Sequence, residues 1–238
     1  MMVSSATMHR LDDIAQREAE LESAFTPGAL PSHAETAVSP AIEPDLSPLS
    51  VAIDGNAYFV MEDDRGSRQF SKDGIFHVER GMLVDRRGMA VLGYHGGDTL
   101  LPIRLDPVDA ALGRTANLRI QSDGRVYYER RTIDPVTRTI QPMQVVVGRV
   151  ALARFSAATR LHEVDSTRWT APSGVPPHLG QPSDGNFLPL VTHAHQKSAI
   201  DPLAAIDRLQ ESYMALDALR AVHGAQGRTE KIAMDLLK

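Results

Sequence analysis

The chain of 238 residues contains no cysteine and no long apolar run, and each absence excludes a class of structure or chemistry. Without cysteine there are no disulfides, thiolate metal sites, iron–sulfur clusters or thiol nucleophiles. No stretch approaches the roughly 18 consecutive apolar residues of a membrane-spanning helix, so we expect no membrane insertion. The N-terminal residues lack the apolar core of a secretory signal peptide, so we expect no cleaved signal.

Basic residues are also too few for a typical nucleic-acid-binding protein. Lys and Arg number 25 against 30 Asp and Glu, which gives a net charge of −5. Proteins that bind by neutralising phosphates usually carry a basic face, so we expect no nucleic acid partner. Apolar residues make up 42% of the chain, which is enough for a packed core.

The two ends of the chain have helical patterns. Residues 1–28 predict an amphipathic helix that Thr26-Pro27-Gly28 terminates, and a Pro-rich linker follows at 29–48. Within 193–238, Asp201-Pro202 is a typical helix start. The apolar residues after it alternate spacings of three and four, as in a coiled coil.

Residues 49–192 predict a β-rich domain. Short apolar runs alternate with turn dipeptides such as Asp73-Gly74 and Arg80-Gly81 about every ten residues. This spacing favours antiparallel hairpins and leaves no room for βαβ crossover helices. We expect one sheet face to be covered by Phe59, Phe70 and Phe76 together with Ile53 and Leu92. The Pro/Gly-rich stretch 171–189 predicts a long exposed loop.

The predicted fold is therefore mainly β, with an antiparallel β domain flanked by N- and C-terminal helices that pair as a coiled coil. Each helix has an apolar stripe too narrow to be stable alone, so we expect the ends to order on assembly. The predicted assembly interface consists of the stripe residues Met8, Leu11, Ile14, Leu21, Ile206, Leu209, Tyr213, Leu216, Leu219, Val222, Ile232 and Leu236.

Four segments of the β zone resemble, in the same order, motifs of the bacterial flagellar rod and hook family. LSVAIDGNAYF at 49–59 is similar to L-x-V-A-I-x-G-x-G-F-F, and FSKDGIF at 70–76 is similar to Y-T-R-x-G-x-F. GMLVD at 81–85 and GMAVLG at 88–93 resemble G-x-L-V-T and G-x-P-V-L-G. Further on, GRVALARF at 148–155 resembles G-x-I-x-L-A-R-F. The resemblance is closest to the basal-body rod proteins of the FlgG/FlgF type, and it is weakest at the two termini.

This resemblance implies a structural subunit, not an enzyme, that assembles with copies of itself and with other rod and hook proteins. It implies an axial tube that transmits torque from motor to hook, with terminal helices around a central channel. It further implies export by the flagellar type III apparatus, location in the periplasm-spanning rod of the basal body, and contacts with surrounding ring proteins.

Two other functions stay open from the sequence. One is a hook or hook-associated accessory subunit, although hook proteins are usually longer and carry an additional outer domain. The other is a soluble β-rich binding module or hydrolase. His193 and His195, with His162 or Asp201, could in principle ligate a metal, but solvent-facing histidines are the simpler interpretation. We expect no catalytic, cofactor-binding or metal-binding residues.

Overall fold

The computed structural model describes residues 5–30, 41–134 and 138–236, with side chains described as far as residue 225. Its helices are α1 (Ser5–Ser23), the short α2 (Pro107–Ala111) and α3 (Pro202–Leu236), with a 3-10 turn at Arg114–Asn117. Its strands are β1 (Ile42–Pro44), β2 (Val51–Ile53), β3 (Tyr58–Glu62), β4 (Arg68–Ser71), β5 (Phe76–Glu79), β6 (Met82–Asp85), β7 (Ala90–Tyr94), β8 (Leu100–Pro102), β9 (Arg119–Ile120), β10 (Arg125–Ile133), β11 (Ile140–Val150), β12 (Leu152–Arg154), β13 (His162–Asp165), β14 (Arg168–Thr170), β15 (His178–Gly180), β16 (Leu190–Thr192) and β17 (Ala194–Gln196).

The pairings between these strands are antiparallel throughout. The main sheet runs in the order β13-β14-β4-β3-β7-β11-β10-β9, and β5, β6, β8, β12 and β15 join it beside this path. Two small sheets pair β1 with β17 and β2 with β16. The predicted mainly β fold with an antiparallel domain and terminal helices is confirmed.

The turn between β5 and β6 shows how a turn dipeptide sets the register. Glu79 and Met82 are cross-strand partners, so Arg80 and Gly81 alone form the turn. Both have positive φ, 50° and 74°. This is the geometry of a two-residue type I′ hairpin, whose twist matches that of the paired strands.

Gly74 is required for a different reason, which is lack of space. A Cβ atom at this position would lie 1.7 Å from the carbonyl oxygen of Val51. The N–H of the same Val51 donates a hydrogen bond of 3.0 Å to the carbonyl oxygen of Gly74. The Asp-Gly motif at this point therefore permits a close approach between two backbone segments.

The core lies on both faces of the main sheet, and this corrects the predicted aromatic face. Ile53, Phe59 and Phe76 belong to the larger apolar cluster, where the two phenyl rings meet edge to face at 5.1 Å. Phe70 and Leu92 belong to a second cluster. Phe70 pairs across the strands with Val60, the neighbour of Phe59, so alternation along β3 puts Phe59 and Phe70 on opposite faces.

The stretch 171–189 is only partly the exposed loop that was predicted. Its residues His178–Gly180 form β15, which pairs with β12 in the main sheet. Phe187 is buried in the larger apolar cluster. Composition indicated a loop because proline and glycine are frequent there, but strand pairing with a distant segment overrides that local signal.

The chain divides into two compact units, which we describe separately. The first contains the described residues of Met1–Phe25 and Ile200–Lys238, that is α1 and α3. The second is Thr26–Ala199 and contains the described strands β1–β17 and both apolar clusters.

Candidate assembly site

The terminal helices α1 and α3 pack against each other in an antiparallel pair. Arg208 contacts Glu20 near the start of α3, and four residues later the hydroxyl of Ser212 donates a hydrogen bond of 2.7 Å to Asp13. Residues later in α3 therefore contact residues earlier in α1, as expected of antiparallel helices. Tyr213 donates to Glu18, and this hydrogen bond raises the pKa of the Tyr213 phenol.

A buried carboxylate lies at the centre of this pair. The side chain of Glu20 is 2% exposed and accepts a hydrogen bond of 3.0 Å from Arg208 Nη1. Arg17 Nη1 lies 3.4 Å from the other carboxylate oxygen of Glu20, and Arg17 Nε lies 3.6 Å from Asp13. Because an unpaired buried carboxylate would be costly, these arginines are needed wherever Glu20 is buried.

The predicted interface residues divide into three groups. Ile14 and Leu216 are buried, and Leu21, Leu209 and Leu219 are half-buried. The remaining described members are exposed: Met8, Leu11, Ile206, Tyr213 and Val222. Ile232 and Leu236 belong to α3, but their side chains lie outside the described residues. The pair therefore leaves much of its apolar stripe in contact with solvent.

Helix α3 also extends past the end of α1. It has 35 residues against 19 in α1. Ser5, the first residue of α1, precedes Asp13 by eight residues. In an antiparallel pair it therefore lies opposite about the eighth residue after Ser212, which is residue 220. The remaining 16 residues or so of α3 would span about 24 Å at the rise of an α-helix. Residues 221–225, whose side chains are described, are all exposed.

Sequence patterns missed the polar part of this site. The prediction considered only apolar residues at helical spacing, whereas Asp13, Arg17, Glu20, Arg208 and Ser212 make the contacts that align the helices. The available signal was the charge of α1, which carries five carboxylates and two arginines. That excess indicates a partner with basic residues but not which residue of α3 supplies them.

The histidines considered as metal ligands do not form a metal site with neighbouring groups. His193 has a φ of 54° and lies between β16 and β17, so it does not alternate with His195 along one strand. His195 Nδ1 lies 3.6 Å from Asp45 Oδ2. Within residues 5–30, 41–134 and 138–236, the structure brings together no group of three or more His, Asp or Glu side chains that could hold a metal ion.

A half-open groove of about 570 Å³ lies in the β unit between the β7–β8 turn and the bases of β10 and β11. Arg125 and Arg149 line it, and both contact Asp123, at 2.7 Å and 3.7 Å. Arg149 also donates to Gln181 at 2.9 Å. His95 and Asp98 of the β7–β8 turn also line the groove.

None of the helices in the described part of the chain is long and apolar enough to span a membrane. The fold and the helix pair together define a class of protein: a β-rich protein with paired terminal helices that leave apolar side chains exposed.

Comparison with protein families agrees with this class. Residues 52–128, from β2 into β10, match the model of the flagellar hook protein FlgE/F/G D1 domain. The match supports the flagellar rod and hook protein family, and it confirms the resemblance seen in the sequence motifs. No curated protein matches the chain.

The matched family is one of structural flagellar proteins. The match at residues 52–128 supports a flagellar rod or hook subunit in general, without distinguishing rod from hook. Proteins of this family assemble with other flagellar proteins in the region of the basal body and hook.

Proposed function

We propose that this protein is a subunit of the flagellar basal-body rod, which polymerises into the axial tube that transmits torque from motor to hook. Its partners are copies of itself and neighbouring rod and hook proteins. The flagellar type III apparatus exports it, and the assembled rod spans the periplasm inside the ring proteins.

The observation that carries this proposal is the exposed apolar surface of the terminal helices. Met8, Leu11, Ile206 and Val222 remain exposed in the α1–α3 pair, and α3 continues beyond α1. Isolated helices of this kind need further contacts to be stable in water. Packing against the helices of neighbouring copies, as coiled coils, would bury this surface, and a heterologous contact of that kind generates a helical filament.

One feature favours the rod over the hook. Strand β11 returns directly beside β10, with only residues 134–139 between them, and then pairs with β7. Residues 41–134 and 138–199 thus build one main sheet and two small sheets, and no additional β domain is inserted in this described part. An additional outer domain is what the resemblance leads us to expect of a hook subunit.

The test is to locate the full-length protein in isolated flagella and to disturb the exposed apolar residues. In a strain that lacks the native gene, full-length protein should restore swimming, and antibody labelling should place it in the rod. Met8→Asp and Ile206→Asp should reduce the number of complete basal bodies at least about tenfold, because each introduces a charge into a contact repeated in every subunit.

Val108→Asp serves as the matched control. Val108 is also an exposed apolar residue, but it lies in α2 of the β unit. This variant should assemble normally. Labelling of the hook instead of the rod would replace the rod proposal by the hook alternative. Normal swimming of both helix variants would contradict the role of the terminal helices.

A further inference from the structure

The strands β10 and β11 form a two-stranded arm that extends beyond the rest of the sheet. They pair with each other from Arg125↔Arg149 to Ile133↔Ile140. Strand β9 pairs only with Val126 and Tyr127, and β7 pairs only with Arg149 and Val150. No other described strand pairs with residues 129–133 or 140–146. We call these two segments the arm. The family match ends at residue 128, where the arm begins.

The two faces of the arm have different surroundings. Side chains on alternate residues share a face. On one face Tyr128 is buried and donates a hydrogen bond to Asp109, Arg130 Nη1 lies 3.4 Å from the same carboxylate, and Val145 packs on the larger apolar cluster. This face is thus anchored to its own β unit near the base of the arm, whereas Gln141 and Met143 further along it are exposed.

The other face, which we call the open face, carries exposed apolar side chains. Ile133 and Ile140 are cross-strand partners that are 68% and 67% exposed, and Val146 on the same face is 51% exposed. Pro142 adds a fourth exposed apolar residue. The charged members of this face are Glu129 and Arg131, so the face has no net charge. It is an apolar surface without electrostatic repulsion toward a second copy of this chain.

The edge of the arm formed by β11 is less suited to docking than its open face. The N–H of Asp134 donates to the carbonyl oxygen of Thr139. From that pair onward, hydrogen-bonded and non-hydrogen-bonded residue pairs alternate along the arm. Pro142, opposite Arg131, then occupies a pair whose backbone groups point outward. Proline has no N–H, so it interrupts the donors along the outer edge of β11, as edge-protecting prolines do.

The area of the open face indicates the kind of partner. Two strands of about six residues give a face of roughly 20 Å by 10 Å, or about 200 Å². A stable pair of proteins buries about 800 Å² on each partner. The open face is therefore too small to hold a partner alone. The open face becomes covered where other contacts already hold a neighbouring subunit in place and raise the effective concentration of that subunit.

We infer that the open face of the arm, formed by Ile133, Ile140, Pro142 and Val146, packs against the β unit of a second copy of this chain in the assembled axial structure. The inference rests on the proposed function, because polymerisation through the terminal helices brings the copies together. The contact is lateral and heterologous, and it is absent in the dilute soluble chain.

The lack of native cysteine allows a direct test. Ile140→Cys and Val146→Cys place a single thiol on the open face. Met143→Cys places it on the opposite face of the same strand, where Met143 is 41% exposed. Maleimide labelling rates are measured for each full-length variant as soluble protein and in isolated basal bodies. Thiols at 140 and 146 should react at least about tenfold more slowly in the basal bodies, and the thiol at 143 less than about threefold more slowly.

The outcomes separate this inference from the proposed function. If the variants are incorporated into basal bodies but the thiols at 140 and 146 react as fast as in the soluble chain, only the arm contact is refuted. Equal slowing at all three positions also refutes it, in favour of strand addition at the edge of the arm. If the full-length chain is not found in isolated axial structures, the proposed function and this inference both fail.

Discussion

Lys72 is a buried cation whose protonation the fold makes unfavourable. It is 1% exposed, its Nζ donates a hydrogen bond of 3.0 Å to the carbonyl oxygen of Gly55, and it lies 5.3 Å from the ring centre of Tyr58. Burial lowers the pKa of Lys72 to about 8 from the usual 10.5. The charged form of Lys72 is therefore less favourable in the folded protein than in the unfolded chain.

The stability of the β unit should consequently rise with pH in the alkaline range. Between pH 8 and 10.5 the unfolded chain binds the Lys72 proton more strongly than the folded protein does, so raising the pH favours the folded state. We expect a gain of about 2 kcal/mol in the free energy of unfolding from pH 7 to 9.5, at 1.36 kcal/mol per pKa unit. Urea unfolding followed by the fluorescence of Trp169 measures it.

Two variants make this expectation specific. Lys72→Met should remove most of the rise in the free energy of unfolding with pH. Lys197→Met should leave the slope unchanged, because the Lys197 side chain is 59% exposed and pairs with Glu43 at 3.1 Å on the surface. An equal slope in the wild type and in Lys72→Met would show that another group is responsible.

Among the elements, the helix pair depends on a polar cluster as much as on apolar packing. Ile14 and Leu216 are its large buried apolar side chains within the described residues of the pair, whereas Glu20 is buried with two arginines beside it. A buried polar group of this kind can select one register of a helix pair at some loss of stability. Glu20 therefore favours the alignment in which Arg208 lies opposite to it.

Arg208→Ala should loosen the helix pair selectively. The substitution leaves the buried Glu20 carboxylate with Arg17 as its remaining cation, and loss of a charged hydrogen bond of this kind costs about 2 kcal/mol. Hydrogen exchange of the α1 amides should become about 30-fold faster, at tenfold per 1.4 kcal/mol. Exchange in the β unit should not change.

Arg220→Ala is the control on the same helix. Arg220 pairs with Asp217, and both side chains are more than 60% exposed, so its removal should change exchange by less than about threefold. Similar effects of the two substitutions would mean that the Glu20 cluster has no special role in aligning the helices.

The whole molecule combines a well-packed unit with a weakly packed one. The β unit buries two apolar clusters, while the helical unit buries few large apolar side chains among its described residues. Such a difference should make the two units unfold in separate steps. It also suits the proposed rod subunit, which on that proposal passes through an export channel and then orders its ends on assembly.

Two spectroscopic signals can separate these steps. The single tryptophan, Trp169, is buried in β14 of the β unit, and α1 and α3 contain most of the helix. On heating dilute protein, circular dichroism at 222 nm should fall roughly 10 °C or more below the transition in Trp169 fluorescence, because the marginal helix pair melts first. Coincident transitions would contradict this and show that the two units unfold together.

Local sequence patterns were sufficient for the positions of strands and turns. Positive φ at Arg80 and Gly81 and close backbone contact at Gly74 are properties of a few neighbouring residues, so the turn dipeptides could be recognised. The terminal helices, the lack of thiol chemistry and the family motifs were also readable from the chain. These features depend on short spacings and composition.

Contacts between distant residues decided the rest. Alternation places Phe59 and Val60 on opposite faces, but only the pairing of Val60 with Phe70 shows that Phe70 leaves the predicted face. Burial of Glu20 depends on the register of α1 against α3, and exposure of the arm depends on where β9 and β7 stop pairing. Sequence periodicity specifies which residues share a side of one element, whereas the partner opposite that side is selected by the packing of the folded chain.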